Sequence, residues 1–221
     1  MKTFLTRCLL VVCMTCASAW AEPTAQVGFG ATTVKLDPDF LAALEGLGIA
    51  PAAIRPGYLN ARRGTLRFPI PGGALDLESL EGDILHTGGL SLSSGATEVS
   101  LLNFVIETYS TEDPLTGLDR APLLTGLAGL NGDTLGRYPV FDLDFSEADV
   151  KVSRYGRVKV KNVGVELSAA GALALNVAFA GGEDVVPAGL FIGTATVSTR
   201  IVGLVGDDEE DDEDDDEDDD D

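Results

Sequence analysis

The chain has 221 residues, 45% of them apolar, and its 15 basic and 36 acidic side chains give a formal charge of −21. All three cysteines (Cys8, Cys13, Cys16) fall before position 17 and there is one histidine, so the rest of the chain holds no disulfide framework, thiolate nucleophile, thiolate metal site or multi-histidine centre. Setting aside two basic residues before position 22 and fifteen acids after position 206 leaves 13 basic and 21 acidic residues, an ordinary net charge of −8 on one domain's length of chain.

Residues 1–21 read as an export signal. Lys2 and Arg7 supply the positive start, Leu9 to Cys16 the apolar stretch, and Ala19-Trp20-Ala21 the small-x-small cleavage site before Glu22. That stretch is shorter than the ~20 apolar residues of a bilayer span, so no transmembrane helix is expected after cleavage. Val12 before Cys13 and Thr15 before Cys16 argue against lipidation. The expectation is an exported protein, periplasmic or extracellular, with a single β-rich domain over 22–206.

From Val34 onward the apolar period is mostly two. A first strand closes at Val34-Lys35-Leu36. Asp37 then caps a helix with Pro38 at its first position, Phe40, Leu41 and Leu44 on one face, and Gly46 or Gly48 at its end. Thr65 to Ile70 alternates before a Pro71-Gly72-Gly73 turn, and Ala74–Leu77 and Asp83–Leu85 continue to Gly88-Gly89. After Leu90–Leu92, Glu98–Thr108 mixes Val99, Leu101 and Val105 with Leu102, Phe104 and Ile106, so both of its faces look covered. Pro122–Leu130 and Arg137–Phe145 form a hairpin around Asn131-Gly132. Another hairpin folds at Arg154-Tyr155-Gly156, flanked by Val150 and Val152 and by Val158 and Val160. Ser168 caps a second helix, Ala169–Phe179, with Leu173 and Val177 on its buried face, and the last strand runs from Leu190 to Val202. This is a mainly β fold with two helices (α+β), an antiparallel sandwich or barrel-like domain. Val34-x-Leu36-Asp37 before Ala43-Leu44 matches Val165-x-Leu167-Ser168 before Ala174-Leu175. Strand-to-capped-helix junctions look alike in any case; the alternative is a pseudo-symmetric domain with one helix from each half.

Phe68-Pro69-Ile70-x-Gly72-Gly73, Gly82-x-Ile84-x-His86-x-Gly88-Gly89-Leu90, Phe141-x-Leu143-x-Phe145, Ala174-Leu175-Asn176 and Gly189-Leu190-x-Ile192-Gly193-Thr194-Ala195 together resemble an uncharacterised family of exported bacterial β-rich proteins. The resemblance spans roughly 32–200 and implies a secreted single domain with no assigned activity. Over about 66–92 the chain is also similar to the HtaA haem-uptake domain, which implies haem binding.

His86, at the end of an apolar strand and before Gly88-Gly89, is open to two readings: a haem or metal ligand or general base, or a partly buried imidazole that locks a turn. Tyr58, Tyr109, Tyr138 and Tyr155 are candidate phenolate ligands to haem, or strand and turn residues with a wet hydroxyl. Asp142 and Asp144 share one strand face, as a calcium or acid–base pair would, or as solvated surface. No G-x-S-x-G, P-loop, dinucleotide or H-E-x-x-H pattern occurs, so a hydrolase is the third choice and a non-enzymatic binding role the first.

The run Asp207, Asp208, Glu209, Glu210, Asp211, Asp212, Glu213, Asp214, Asp215, Asp216, Glu217, Asp218, Asp219, Asp220 and Asp221 is acidic throughout. Neighbouring carboxylates within the ~8 Å screening length repel one another, so a disordered tail is expected. It would bind Ca²⁺ or other divalent cations weakly and diffusely, attract basic surfaces and repel nucleic acid, or only solubilise. Lys151, Arg157, Lys159 and Lys161 take the parity opposite to the hairpin valines and, with Arg154 at the turn, form a basic face for the tail or for an anionic polymer such as a cell-surface one. The resulting reading is an exported binding or cell-envelope interaction protein, with a haem or small-ligand carrier as the alternative.

Overall fold

The computed structural model describes residues 24–76, 81–108 and 122–205. The expected export signal, Tyr109 and the acidic run 207–221 lie outside the described residues.

Among the described residues, fourteen strands and two helices follow in chain order: β1 (Thr24–Val27), β2 (Gly30–Leu36), α1 (Pro38–Gly46), β3 (Ala50–Ile54), β4 (Tyr58–Asn60), β5 (Thr65–Ile70), β6 (Gly72–Asp76), β7 (Gly82–Leu85), β8 (Gly89–Ser94), β9 (Thr97–Glu107), β10 (Leu123–Leu130), β11 (Asp133–Asp144), β12 (Asp149–Val152), β13 (Arg157–Leu167), α2 (Ala169–Phe179) and β14 (Phe191–Val205). The expected mainly β, antiparallel, two-helix architecture is what the chain adopts. The path β13-β11-β10-β9-β7-β6-β1-β14 closes on itself through a β13–β14 ladder, giving a barrel-like ring. Closure pairs backbone groups that an open sheet would leave at its edges. β2, β5 and β4 extend from β14, β8 and β3 from β9, and β12 hangs on β13 outside the ring.

Several sequence turns are corners within long strands. Pro71-Gly72-Gly73 does not reverse the chain: β1 and β2 pair with β5 and β6 in one continuous register, from Thr24 opposite Asp76 to Lys35 opposite Thr65. β7 and β8 likewise run on along β9, with one extra residue between Leu85 opposite Val105 and Gly89 opposite Leu102. On β9, Asn103 takes φ 49, and there the alternation switches: Val99, Leu101, Phe104 and Ile106 all face inward. That bulge explains a strand whose two faces both read as apolar. The Asn131-Gly132 hairpin forms as expected, with φ 51 and 92. Inside the ring Phe68 meets Phe104 edge to face at 5.2 Å, and Phe104 lies 6.3 Å from Phe141.

Both helices begin at the expected caps. The Asp37 side chain accepts the Asp39 N–H, and Ser168 Oγ accepts the Gly171 N–H at 2.9 Å while donating to the Pro139 carbonyl. The two junctions flank the start of β14, where Leu36 and Val165 both pair with Gly193. In α1, Phe40 and Leu44 are buried and Leu41 packs partly against the core.

The buried face of α2 differs from the expected one. Leu173 and Val177 are 66% and 59% exposed, and the buried residues are Gly171, Ala172, Leu175 and Asn176. Small residues decide this: a Cβ on Gly171 would stand 2.5 Å from the Val140 carbonyl, so the helix lies close on β11 through its glycine. Asn176 holds the following loop, donating to Val186 O at 2.9 Å and accepting the Val186 N–H at 2.8 Å. Those contacts turn Leu173 and Val177 outward. The basic hairpin needs a similar correction: Val158 is buried and Val160 half-buried, but Val150 and Val152 are 44% and 60% exposed because β12 lies beyond the closed ring.

Candidate ligand-binding cavity

β2 and the corner between β7 and β8 bring two polar residues to one point inside the ring. Thr32 occupies an inward position of β2 between Ala31 and Val34 and is buried. His86 is fixed by its own N–H, which donates to Phe104 O at 2.8 Å, and by the next residue, whose N–H donates to Pro69 O at 2.9 Å. Gly88 completes the corner at φ 83: a Cβ there would lie 2.4 Å from the Gly57 nitrogen, so only glycine lets the β3–β4 connection pass. The imidazole is 4% exposed, and its Nε2 lies 2.7 Å from Thr32 Oγ1.

His86 Nδ1 is buried without a hydrogen-bond partner. Burial pushes the imidazole down to about 4, against the weaker pull of the Phe104 and Ile84 carbonyls, so it is neutral at neutral pH. His86 belongs to the lining of a cavity of about 450 Å³. Its walls are almost wholly apolar, with Val34, Leu66 and Phe68 on one side and Leu101, Phe104 and Phe141 on another. Leu135, Tyr138, Leu173 and Val177 also line it and are all more than 40% exposed, so they mark its mouth. The outward turn of α2 therefore places two large apolar side chains at an entrance rather than in the core.

The candidate residues separate clearly. Of His86, Tyr58, Tyr138 and Tyr155, only His86 and Tyr138 line the cavity, the first at its inner end and the second at its mouth, where the phenol donates to Leu135 O at 3.2 Å. Tyr58, 61% exposed, lines a shallow depression with Pro51 and Arg55; Tyr155, 69% exposed, lies beside Arg154, whose guanidinium sits 4.7 Å from the ring centre. Asp142 and Asp144 do share the outward face of β11. Asp144 closes the following turn by accepting from the N–H and hydroxyl of Ser146, which hold it below the usual carboxylate range, whereas partial burial raises Asp142. No group of three His, Cys, Asp or Glu suited to a metal ion occurs among the described residues. Lys151, Arg157, Lys159 and Lys161 line the outer side of the β12–β13 hairpin, with Arg154 at its tip.

The sequence reading did not single out Thr32. Its signal was there: a threonine at the inward parity of Val34 and Leu36, where a polar group needs a buried partner.

No protein-family model and no curated protein matches the chain. Among solved structures, the C-terminal domain of HtaA from Corynebacterium glutamicum is similar with a TM-score of 0.58 and 18% identity, over 80% of this chain and 99% of that one. The N-terminal domain of HtaA from the same organism has a TM-score of 0.51 and 12% identity, over 80% and 99%. Heme binding protein HtaB, also from Corynebacterium glutamicum, gives 0.47 and 14%, over 83% and 98%. The likeness to the two HtaA domains is one of fold, and it agrees with the local sequence similarity around His86.

Proposed function

We propose that this protein is a carrier for haem or another flat apolar ligand, held in the cavity that ends at His86. The observation that carries the reading is the cavity itself: about 450 Å³, apolar-walled, with the buried imidazole of His86 in its lining. Small-molecule sites occupy ~300–1,000 Å³ and combine apolar walls with a few placed polar groups. A void of this size lined only by side chains gives up dispersion contacts that a ligand restores. The HtaA-like fold and the HtaA resemblance around residues 66–92 support haem as the first ligand to test.

The residues present fit a macrocycle with one coordinating end. Apolar walls suit the porphyrin faces, and His86 and Tyr138 are the lining residues able to ligate iron. Haem, if bound, would supply an iron centre for His86 or Tyr138 to hold. His86 stands neutral and so needs no deprotonation to ligate, and Thr32 holds its Nε2 in place. In this reading the protein acts by binding and not by turnover, and the export signal expected over 1–21 would carry it outside the cytoplasm. No helix among the described residues is long and apolar enough to cross a membrane.

Titration with haemin, followed by absorbance, tests the reading. A Soret band that saturates near one equivalent and shifts in His86→Ala or Tyr138→Phe supports haem. Saturable displacement of an apolar fluorophore without a Soret change keeps the carrier and replaces haem by another apolar ligand. Absence of both removes the carrier reading.

A further inference from the structure

The outer face of β12, β13 and β14 concentrates positive charge in a way the register makes explicit. Lys151 stands directly opposite Lys159, and Arg157 directly opposite Arg200. Like charges opposite one another on one sheet face are destabilising unless an anion lies across them. Lys161 extends the strip along β13, and Arg154 adds a further cation at the hairpin tip. The acid within the strip is Asp149, opposite Lys161 and 3.2 Å from Lys151. Glu166 of β13 and Asp142 and Asp144 of β11 gather at the far end, where β11 meets β13. Among the described residues, Arg157, Lys159, Lys161 and Arg200 have no ion pair.

We propose that this basic strip is the docking surface for the chain's own acidic segment, residues 207–221. Charge complementarity and chain path both point to that occupant. β14 passes the hairpin tip, where the Ile201 N–H donates to Gly156 O, and is described to Val205, two residues before the acidic run begins. Folding back from Val205 across Arg200 and along β13 to Lys161 takes about 30 Å, and fifteen extended residues reach about 50 Å. Tethering at so short a distance raises the local concentration of the acids at the strip to roughly millimolar, which favours the chain's own segment over a free polyanion. The segment then screens the strip, and a stronger anionic surface displaces it.

Poly-aspartate binding distinguishes the occupants. The full chain and a variant ending at Gly206 are titrated with a fluorescent fifteen-residue Asp/Glu peptide in low salt, beside the shortened chain carrying Lys159→Glu and Arg200→Glu. The expected result is binding at least tenfold tighter to the shortened chain than to the full chain, lost with the double substitution and abolished by 0.5 M salt (roughly a fourfold shorter range than at low salt). Equal binding to full and shortened chains overturns the proposal and leaves the strip to an external anion. No binding to the shortened chain overturns it as well. As a second readout, a nitroxide at Asp215→Cys in a full chain with Cys8, Cys13 and Cys16 changed to serine should broaden amide signals of Arg157, Lys159 and Arg200. Broadening elsewhere or nowhere contradicts docking.

Discussion

Thr32 and His86, 54 positions apart in sequence, meet inside the ring at 2.7 Å and form the polar end of an otherwise apolar cavity. The bond fixes the imidazole's orientation and leaves its second nitrogen without a partner. An enclosed nitrogen of this kind costs stability unless something binds it.

Removing the hydroxyl while keeping the shape exposes the cost of that bond. Thr32→Val should destabilise the protein by about 1–3 kcal/mol, because Nε2 loses its partner in a buried site. Denaturant unfolding measures it. A change under ~0.3 kcal/mol would mean that the imidazole is satisfied by another route.

The acid limb of stability should carry the signature of His86. Its folded value of about 4 lies below the ordinary 6.5, so between those limits the unfolded chain binds the extra proton and stability falls as pH falls. At about 1.4 kcal/mol per pH unit the full loss is roughly 3 kcal/mol. Asp83 and Asp142, both raised by burial, act in the opposite direction lower down. The difference between the native chain and His86→Gln isolates the imidazole: the variant should lose the slope between pH 6.5 and 4, and equal slopes would place His86 in contact with water.

Two leucines on one helix should behave oppositely. Leu175 is 7% exposed, and Leu175→Ala should cost about 2–5 kcal/mol. Leu173, 66% exposed at the mouth, should give a Leu173→Ser change within about 0.5 kcal/mol, with ligand affinity several-fold weaker. Thermal unfolding and ligand titration of both variants check the assignment of the helix face.

Asn103 tests the bulge. With φ 49 it occupies left-handed space, where glycine fits and a β-branched residue is strained. Asn103→Gly should be nearly neutral, whereas Asn103→Val should cost at least about 1–2 kcal/mol. Equal stabilities would show the alternation switching without the left-handed residue.

Much of the fold was legible because local chemistry and fold agree. Asp37 and Ser168 announced both helices, Asn131-Gly132 announced a hairpin, and the alternation announced an antiparallel sheet. Legibility failed where one residue changes the register. Pro71-Gly72-Gly73 has the composition of a turn, yet its strand only bends, since the ladder to β1 and β2 continues across it. The two-faced look of β9 came from a parity switch at Asn103 that no period describes. The buried face of α2 was hidden for a different reason: apolar residues surround the helix, and the choice among them falls to the close approach of Gly171 to β11 and to the polar grip of Asn176. At the site, His86 could be singled out as the sole imidazole, but its partner Thr32 and the void around them depend on strands far apart in sequence.

The most direct test of the central claim is methyl NMR of the protein during titration with haemin, or with the apolar fluorophore if haemin gives no band. Binding in the cavity should shift or broaden the methyls of Val34, Leu66, Leu101 and Val165, which line it, and leave those of Val150 and Val202 unchanged. The filling variant Ala195→Leu should abolish those shifts while altering stability by no more than about 1 kcal/mol, because its added methyls enter existing space. Shifts confined to the exposed valines, or binding undiminished in the filled variant, would contradict a ligand site that ends at His86.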